Sequence, residues 1–337
     1  AFSGCRGFTG NLVIPEGVTS IGNDAFRGCS GFTGNLVIPE GVTSIGDYAF
    51  GGCGKIERIC FRGNAPKIEK NSFAAEKTLY YVKGKSGWTS PKWNGYNTGI
   101  WNPKTNEFFV DCGYCGAEDD EKNLTWILYE DGTLVISGTG KMKDYGSERP
   151  SWREYANRLK KLVIDEGVTS IGDHAFSWCS GFTGDLIIPE GVITVGFNSF
   201  LDCGFDGSLV IPSTLEYGYS PFSFCAKLKN IIVSENNNYY STDGEFLYNK
   251  DKTEIVTGIS KPEGDLIIPE GVLSIGANAF ADKKYNGKLV LPSTVKNIEF
   301  QAFWGCSGLT GSLILPEGLE TIERYAFMRA SFNGDLI

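Results

Sequence analysis

Histidine is almost absent: His174 is the one imidazole in 337 residues. Without partners in the same chain, that rules out histidine-based catalytic triads and most catalytic zinc sites, unless a neighbouring chain supplies the missing groups. There is no G-x-S-x-G, no phosphate-binding P-loop and no dinucleotide fingerprint. Base is in deficit, 31 Lys and Arg against 40 Asp and Glu for a net charge of -9, so the electrostatic footprint of a nucleic-acid or anionic-membrane binder is missing. No apolar run approaches a membrane span, and no initiator methionine or signal peptide is seen. Beginning in AFSGC and ending in GDLI, the sequence reads as a piece of a longer repeat protein, with any membrane contact made through regions outside it.

What the sequence has in quantity is glycine, 44 residues that recur at fixed places. The stretch Gly7 to Ser30, GFTGNLVIPEGVTSIGNDAFRGCS, returns nearly unchanged from Gly31. The strand-ending position falls at Pro15, Pro39, Asp165, Pro189, Pro212, Pro269, Pro292 and Pro316, with a spacing of 23 or 24 residues between adjacent copies. Two weaker copies fit at Ile59-Cys60-Phe61 and Ile231-Ile232-Val233. A period in the twenties marks one supersecondary unit per copy, which buries its apolar side chains only against stacked neighbours.

Within a copy, Leu12 and Ile14 alternate with Asn11 and Val13, the period of a short strand with one face inward. Pro15 offers no ladder donor and ends it, and Gly17 turns the chain. Val18, Ile21, Ala25 and Phe26 give the apolar side of an irregular or 3₁₀ segment, and Cys29 with Phe8 closes the coil. Strands stacked at about 4.8 Å then build a parallel sheet along one side of a solenoid.

The pattern C-x-x-[FL]-x-x-x-L-x-I-P-x-x-V-x-x-I-G-x-x-A-F, read from Cys5 to Phe26 and again from Cys29 to Phe50, resembles the BspA-type leucine-rich repeat of bacterial surface proteins. The resemblance covers roughly two thirds of the chain and implies a curved solenoid, secreted or displayed on a cell surface, that binds proteins or other surfaces without catalysis or cofactor.

Two arrays are expected. The first spans residues 1–102 and ends in an aromatic stretch with Tyr80, Tyr81, Trp88, Trp93, Tyr96 and Trp101, read as a cap over the apolar end. Residues 103–111 read as a linker. Residues 112–160 form a β-hairpin turning at Asp131-Gly132 and a short helix in which Ser151 and Glu154 have capping-box spacing, together a cap for the second array. That array runs over 161–337, with an enlarged repeat near 233–262 whose hairpin turns around Asn249 to Lys252. Asp243 and Asp251 there lack the carboxylate spacing of a calcium loop, and Cys112-x-x-Cys115 has too few companions for structural zinc, so no metal is expected. The pair reads as structural or a local disulfide.

Cys5, Cys29, Cys53, Cys179, Cys203, Cys225 and Cys306 occupy one repeat position and read as a buried column of thiols. His174 shares its position with Asp24, Tyr48, Asn198 and Asn278, a variability that reads as a solvated loop. On the strand, period two sends Val13, Val37, Cys60, Val163, Ile187, Val210, Ile232, Ile267, Val290 and Ile314 to the outer face. This row is either a contact surface or simply β-branched side chains packed along the ladder. Beside it Glu16, Glu40, Glu166, Glu190, Glu270 and Glu317 form an acidic rim of stacked like charges, keeping the sheet soluble or attracting a basic partner or divalent ions. The expected function is adhesion to a host or neighbouring-cell protein through the strand face. The alternatives are glycan binding through Trp88, Trp93, Trp101, Trp178 or Trp304, and a passive spacer.

Overall fold

A computed structural model describes residues 1–146, 148–218 and 220–337. It divides into two compact units, one of Ala1–Cys112 with Ile127–Glu130 and one of Gly113–Trp126 with Asp131–Ile337. Both are β-solenoids.

In the first unit the alternating Leu-x-Ile runs form the main ladder. Gly10–Val13, Phe32–Ile38, Ile56–Phe61, Thr78–Tyr81 and Tyr96–Asn102 lie parallel in that order. The register holds Leu36 beside Ile59 and Leu79, and Val37 beside Cys60 and Tyr80, so inward and outward positions stack on their own kind. The Ser-Ile pair of each copy, expected to be irregular, instead forms a second parallel ladder: Ser20–Ile21, Ser44–Ile45 and Lys67–Ile68. Two residues suffice because the coils are already held in register by the main ladder. The third wall is a column of turns in which the amides of Asp24, Phe26 and Gly28 donate to the carbonyls of Asp47, Ala49 and Gly51 in the next coil.

The core is a set of columns. Phe26, Phe50 and Phe73 stack with nearly parallel rings 5.4 and 5.3 Å apart. In the second unit Trp152, Phe176, Phe200 and Phe222 continue the same arrangement, as do Phe280, Phe303 and Phe327. Each fully buried phenyl stabilises the stack by roughly 2–3 kcal/mol over exposure.

Residues 103–111, read from the sequence as a linker, contain a short strand. Glu107–Phe109 pairs antiparallel with Tyr96–Asn102, because Phe109 and Val110 are apolar enough to be buried. The predicted helix is a five-residue 3₁₀ turn, Ser151–Tyr155, with Pro150 at its N-cap and no side-chain capping bond. Its Arg153 amide already donates to the Pro150 carbonyl, so Ser151 lies inside the turn and the capping box does not form. The turn inserts Trp152 into the phenylalanine column, with its indole N–H donating to Ala175 at 3.0 Å.

In the second unit Thr133–Gly138 pairs parallel with Lys161–Ile164. Leu186–Ile187, Ser208–Ile211 and Asn230–Val233 continue as a parallel ladder, and Leu266–Ile267 pairs with Leu289–Val290. The enlarged repeat folds Tyr240–Thr242, Phe246–Asn249 and Glu254–Gly258 antiparallel, and the last of these runs parallel to Ser274–Ile275 in the second ladder. Asn249 Oδ1 holds the turn by accepting from the amides of Thr253 and Glu254. Asp243 does the same for Glu245 and Phe246, and its other oxygen accepts from the Tyr248 hydroxyl, so its carboxylate is committed to the hairpin.

Candidate functional site

The outward row is divided by its surroundings. In the first unit Val13 is 79% exposed, but Val37 is half-buried and Cys60 is 1% exposed. Cys60, Tyr80 and Trp101 form a second small core on the outer face of the sheet, packed against Val37, Val82 and Phe108. Phe108 meets Tyr80 edge-on at 5.0 Å and lies parallel to Trp101. Arg58 lies over the Phe108 ring at 4.5 Å and pairs with Glu130 at 3.3 Å. The Tyr80 hydroxyl donates to the same carboxylate, and burial, reinforced by Glu130, pushes its pKa up to about 12. Most of the first array's strand face is therefore closed.

In the second unit the row is open. Ile187, Ile267 and Ile314 are 57%, 58% and 58% exposed, and Ile232 and Val290 are also exposed. Val163, paired with Val135, and Val210, between Ile187 and Ile232, are half-buried.

The acidic rim is not one column of repelling charge. In the first unit Glu16 pairs with Arg62 at 2.8 Å and Glu40 with Lys85 at 2.6 Å, bases brought back by later coils. In the second unit Glu190 accepts from the amide and hydroxyl of Ser213, which holds its carboxyl below the usual range. Glu166, Glu270 and Glu317 are exposed and enter no ion pair among the described residues.

The thiol column is present and has a bonding pattern that sequence reasoning did not contain. Cys29, Cys53, Cys203, Cys225 and Cys306 each donate to the carbonyl of the phenylalanine one coil earlier, at 2.9–3.1 Å. All ten thiols, Cys112 and Cys115 included, are free. Lys283 stands at the thiol position of its coil, three residues after Phe280 as Cys29 is three after Phe26. It is fully buried, donates to the Cys225 carbonyl at 2.5 Å, and burial pushes its ammonium down to about 8. The visible signal was the lysine in a cysteine column.

His174 is half-buried and its backbone is left-handed, φ 54°, as are Asp24, Tyr48, Asn198, Asn278 and Gln301 at the same place. Each coil has a second left-handed residue four positions on, filled by Gly28, Gly52, Trp178, Asp202, Phe224, Asp282 and Gly305. The variability there reflects a backbone requirement that several side chains tolerate, and solvation does not explain it. The tryptophans do not form an open platform. Trp101 is buried, Trp88 stacks on Tyr81 at 5.0 Å, and Arg153 lies over the exposed Trp178 at 4.8 Å. Trp93 packs on the first core, and Trp304 lies between Phe224 and Arg329.

Burial, and then the negative charge of Glu299, raise the pKa of Glu254. Glu299 is bonded to the Ser274 hydroxyl and the Ala277 amide, which makes it part of the coil-to-coil bonding. No group of three metal-ligating side chains exists among the described residues, and no helix is long and apolar enough to cross a membrane.

Among solved structures, the chain is similar to a leucine-rich repeat protein from Eubacterium ventriosum, at 20% identity over 67% of this chain and 85% of that one, with a TM-score of 0.43. It is similar to a leucine rich cell surface protein from Faecalibacterium prausnitzii at 17% identity, covering 97% and 87%, TM-score 0.43. A leucine-rich repeat protein from Bacteroides ovatus matches at 18% identity over 99% and 85%, TM-score 0.26. No curated protein sequence matches. The profile of the BspA type leucine rich repeat region matches in six copies over residues 1–94, 154–260 and 264–334, and the chain belongs to that family.

Proposed function

We propose that the chain is a non-enzymatic binding scaffold of a bacterial cell-surface or secreted protein, and that it holds an extracellular protein through the strand face of its second array. One contrast carries this reading. Beyond Val13 the same outward row is covered in the first unit, by Phe108 and its neighbours, whereas it is left open at Ile187, Ile232, Ile267, Val290 and Ile314 in the second. Isolated apolar residues on a surface need no explanation, but exposed aliphatic side chains recurring at one repeat position, on three successive coils at Ile267, Val290 and Ile314, form an apolar patch. Family membership supports the scaffold class. The strand face is favoured over a glycan platform because Trp88, Trp93, Trp101 and Trp304 are packed against neighbours, which leaves Trp178, under Arg153, as the exposed indole among them.

The test is binding of the full chain to immobilised extracellular host proteins and glycans, beside an I187K/I267K/V290K variant whose circular dichroism matches. Protein binding lost in the variant supports the reading. Protein binding that survives moves the site elsewhere, and no binding at all favours a spacer.

A further inference from the structure

Resting on that reading of the second array's strand face, we propose that its occupant is a basic amphipathic helix of a partner protein. Three observations converge. The first is the apolar row itself, with Ile267, Val290 and Ile314 exposed on three successive coils, and Ile187 and Ile232 exposed on either side of the half-buried Val210 before the enlarged repeat.

The second is charge. Along the C-terminal edge of the strands the second array carries Glu166, Glu190, Glu235, Glu270 and Glu317, all exposed. None enters an ion pair among the described residues. In the first array the same edge is neutralised, Glu16 by Arg62 and Glu40 by Lys85, beside a strand face that is covered around Cys60. The opposite edge of the second array is not acidic in the same way, because Asp185 and Asp265 accept from the amides of Ser208 and Lys288 and the lysines Lys161 and Lys288 stand among them. The negative potential is thus on one side of the strip, and it calls for a partner that is apolar along one face and cationic along one flank.

The third is spacing. Parallel coils recur at about 4.8 Å. A helix laid along Ile267, Val290 and Ile314, which stand on successive coils, returns an apolar residue every turn, about 5.4 Å, a mismatch of about half an ångström per coil. An extended segment returns one every two residues, close to 6.8 Å, and falls out of step by about 2 Å per coil. Helical i, i+3, i+4, i+7 anchors are the pattern that matches, with Lys or Arg on the side that faces the glutamates.

Fluorescence anisotropy with three synthetic probes decides it: a Leu/Lys peptide of helical period, a Leu/Glu peptide of the same period, and an alternating Val/Lys peptide. The Leu/Lys helix is expected to bind the full chain and the other two to bind at least about tenfold more weakly. E190Q/E270Q/E317Q should weaken the Leu/Lys probe by about tenfold, and E118Q/D119N/D120N, which removes the same charge from exposed positions elsewhere, should leave it within about twofold. I267K/V290K should abolish binding. Equal response to the two charge-neutralised variants, equal binding of the Leu/Glu or Val/Lys probe, or no binding of any probe overturns the inference. The strand-face reading falls separately, if a protein captured on the extracellular panel is held equally by I187K/I267K/V290K.

Discussion

The thiol of Cys203 donates to the carbonyl oxygen of Phe176, 3.0 Å away and one coil earlier. Repeated at Cys29, Cys53, Cys225 and Cys306, this bond links each coil to the one before it at the base of the phenylalanine column. The thiol is small enough to lie inside the coil, and being a weak donor it loses little on leaving water.

Burial pushes the thiols of Cys179 and Cys306 up to about 12 and that of Cys203 well above its ordinary value. Since the thiolate is the nucleophile, iodoacetamide on the native chain should modify the half-buried Cys5 and Cys112 first and leave Cys179, Cys203, Cys225 and Cys306 unmodified until denaturant is added. Mass spectrometry of the labelled peptides reads this out. Cys203→Ala should cost about 1–2 kcal/mol in a denaturant melt, through the cavity and the lost bond.

Gly22 and Gly46 hold the same place in successive copies, yet they should respond oppositely to alanine. A Cβ on Gly46 would lie 2.3 Å from Asn23 Oδ1 and 2.5 Å from its amide nitrogen, whereas one on Gly22 meets nothing within 4 Å. Asn23 Oδ1 accepts from the Asp47 amide at 2.9 Å and cannot withdraw without losing that bond. Gly46→Ala is expected to destabilise by about 2–3 kcal/mol and Gly22→Ala to change stability by less than about 0.5 kcal/mol. Equal effects would mean that stacking does not impose the glycine.

Lys283 should make stability depend on pH in alkaline solution. Desolvation lowers its folded value from 10.5 to about 8. Between about 8 and 10.5 the unfolded chain therefore holds more protons than the folded one, and stability rises with pH across that window; below 8 both states are protonated and the full penalty remains. Lys283→Met should be more stable than the parent at pH 7 by on the order of 2 kcal/mol, with the gap closing between pH 8 and 10. A gap independent of pH would show that the ammonium is not the cause.

Phe108 closes the first array's outer face, so its removal should open that face locally. Phe108→Ala is expected to make Cys60 alkylate in the folded chain while Cys29 and Cys53 stay protected. Protection of Cys60 in the variant would mean that Trp101 and the Arg58–Glu130 pair suffice to cover it.

The repeat itself was legible, because Leu12, Ile14, Phe26 and Cys29 recur at positions where burial admits little else. The direction of Val13 and its counterparts followed from period two alone. Their exposure did not. Whether Val37 and Cys60 are open depends on Phe108 and on Glu130, which meets Arg58 across 72 residues, and no local pattern records such a contact. The second ladder was missed because a Ser-Ile pair is too short to show a period. The left-handed turn at His174 was hidden by the range of residues that tolerate it, although the asparagines and aspartate at that place carried the signal.

The most direct test places a lysine on each part of the outward row and measures binding to the same extracellular panel. I267K/V290K alters the open strip of the second array, and V13K alters the one fully open member of the first. The account predicts that protein binding is lost in I267K/V290K and kept in V13K, with matching circular dichroism throughout. Binding retained by I267K/V290K would contradict it.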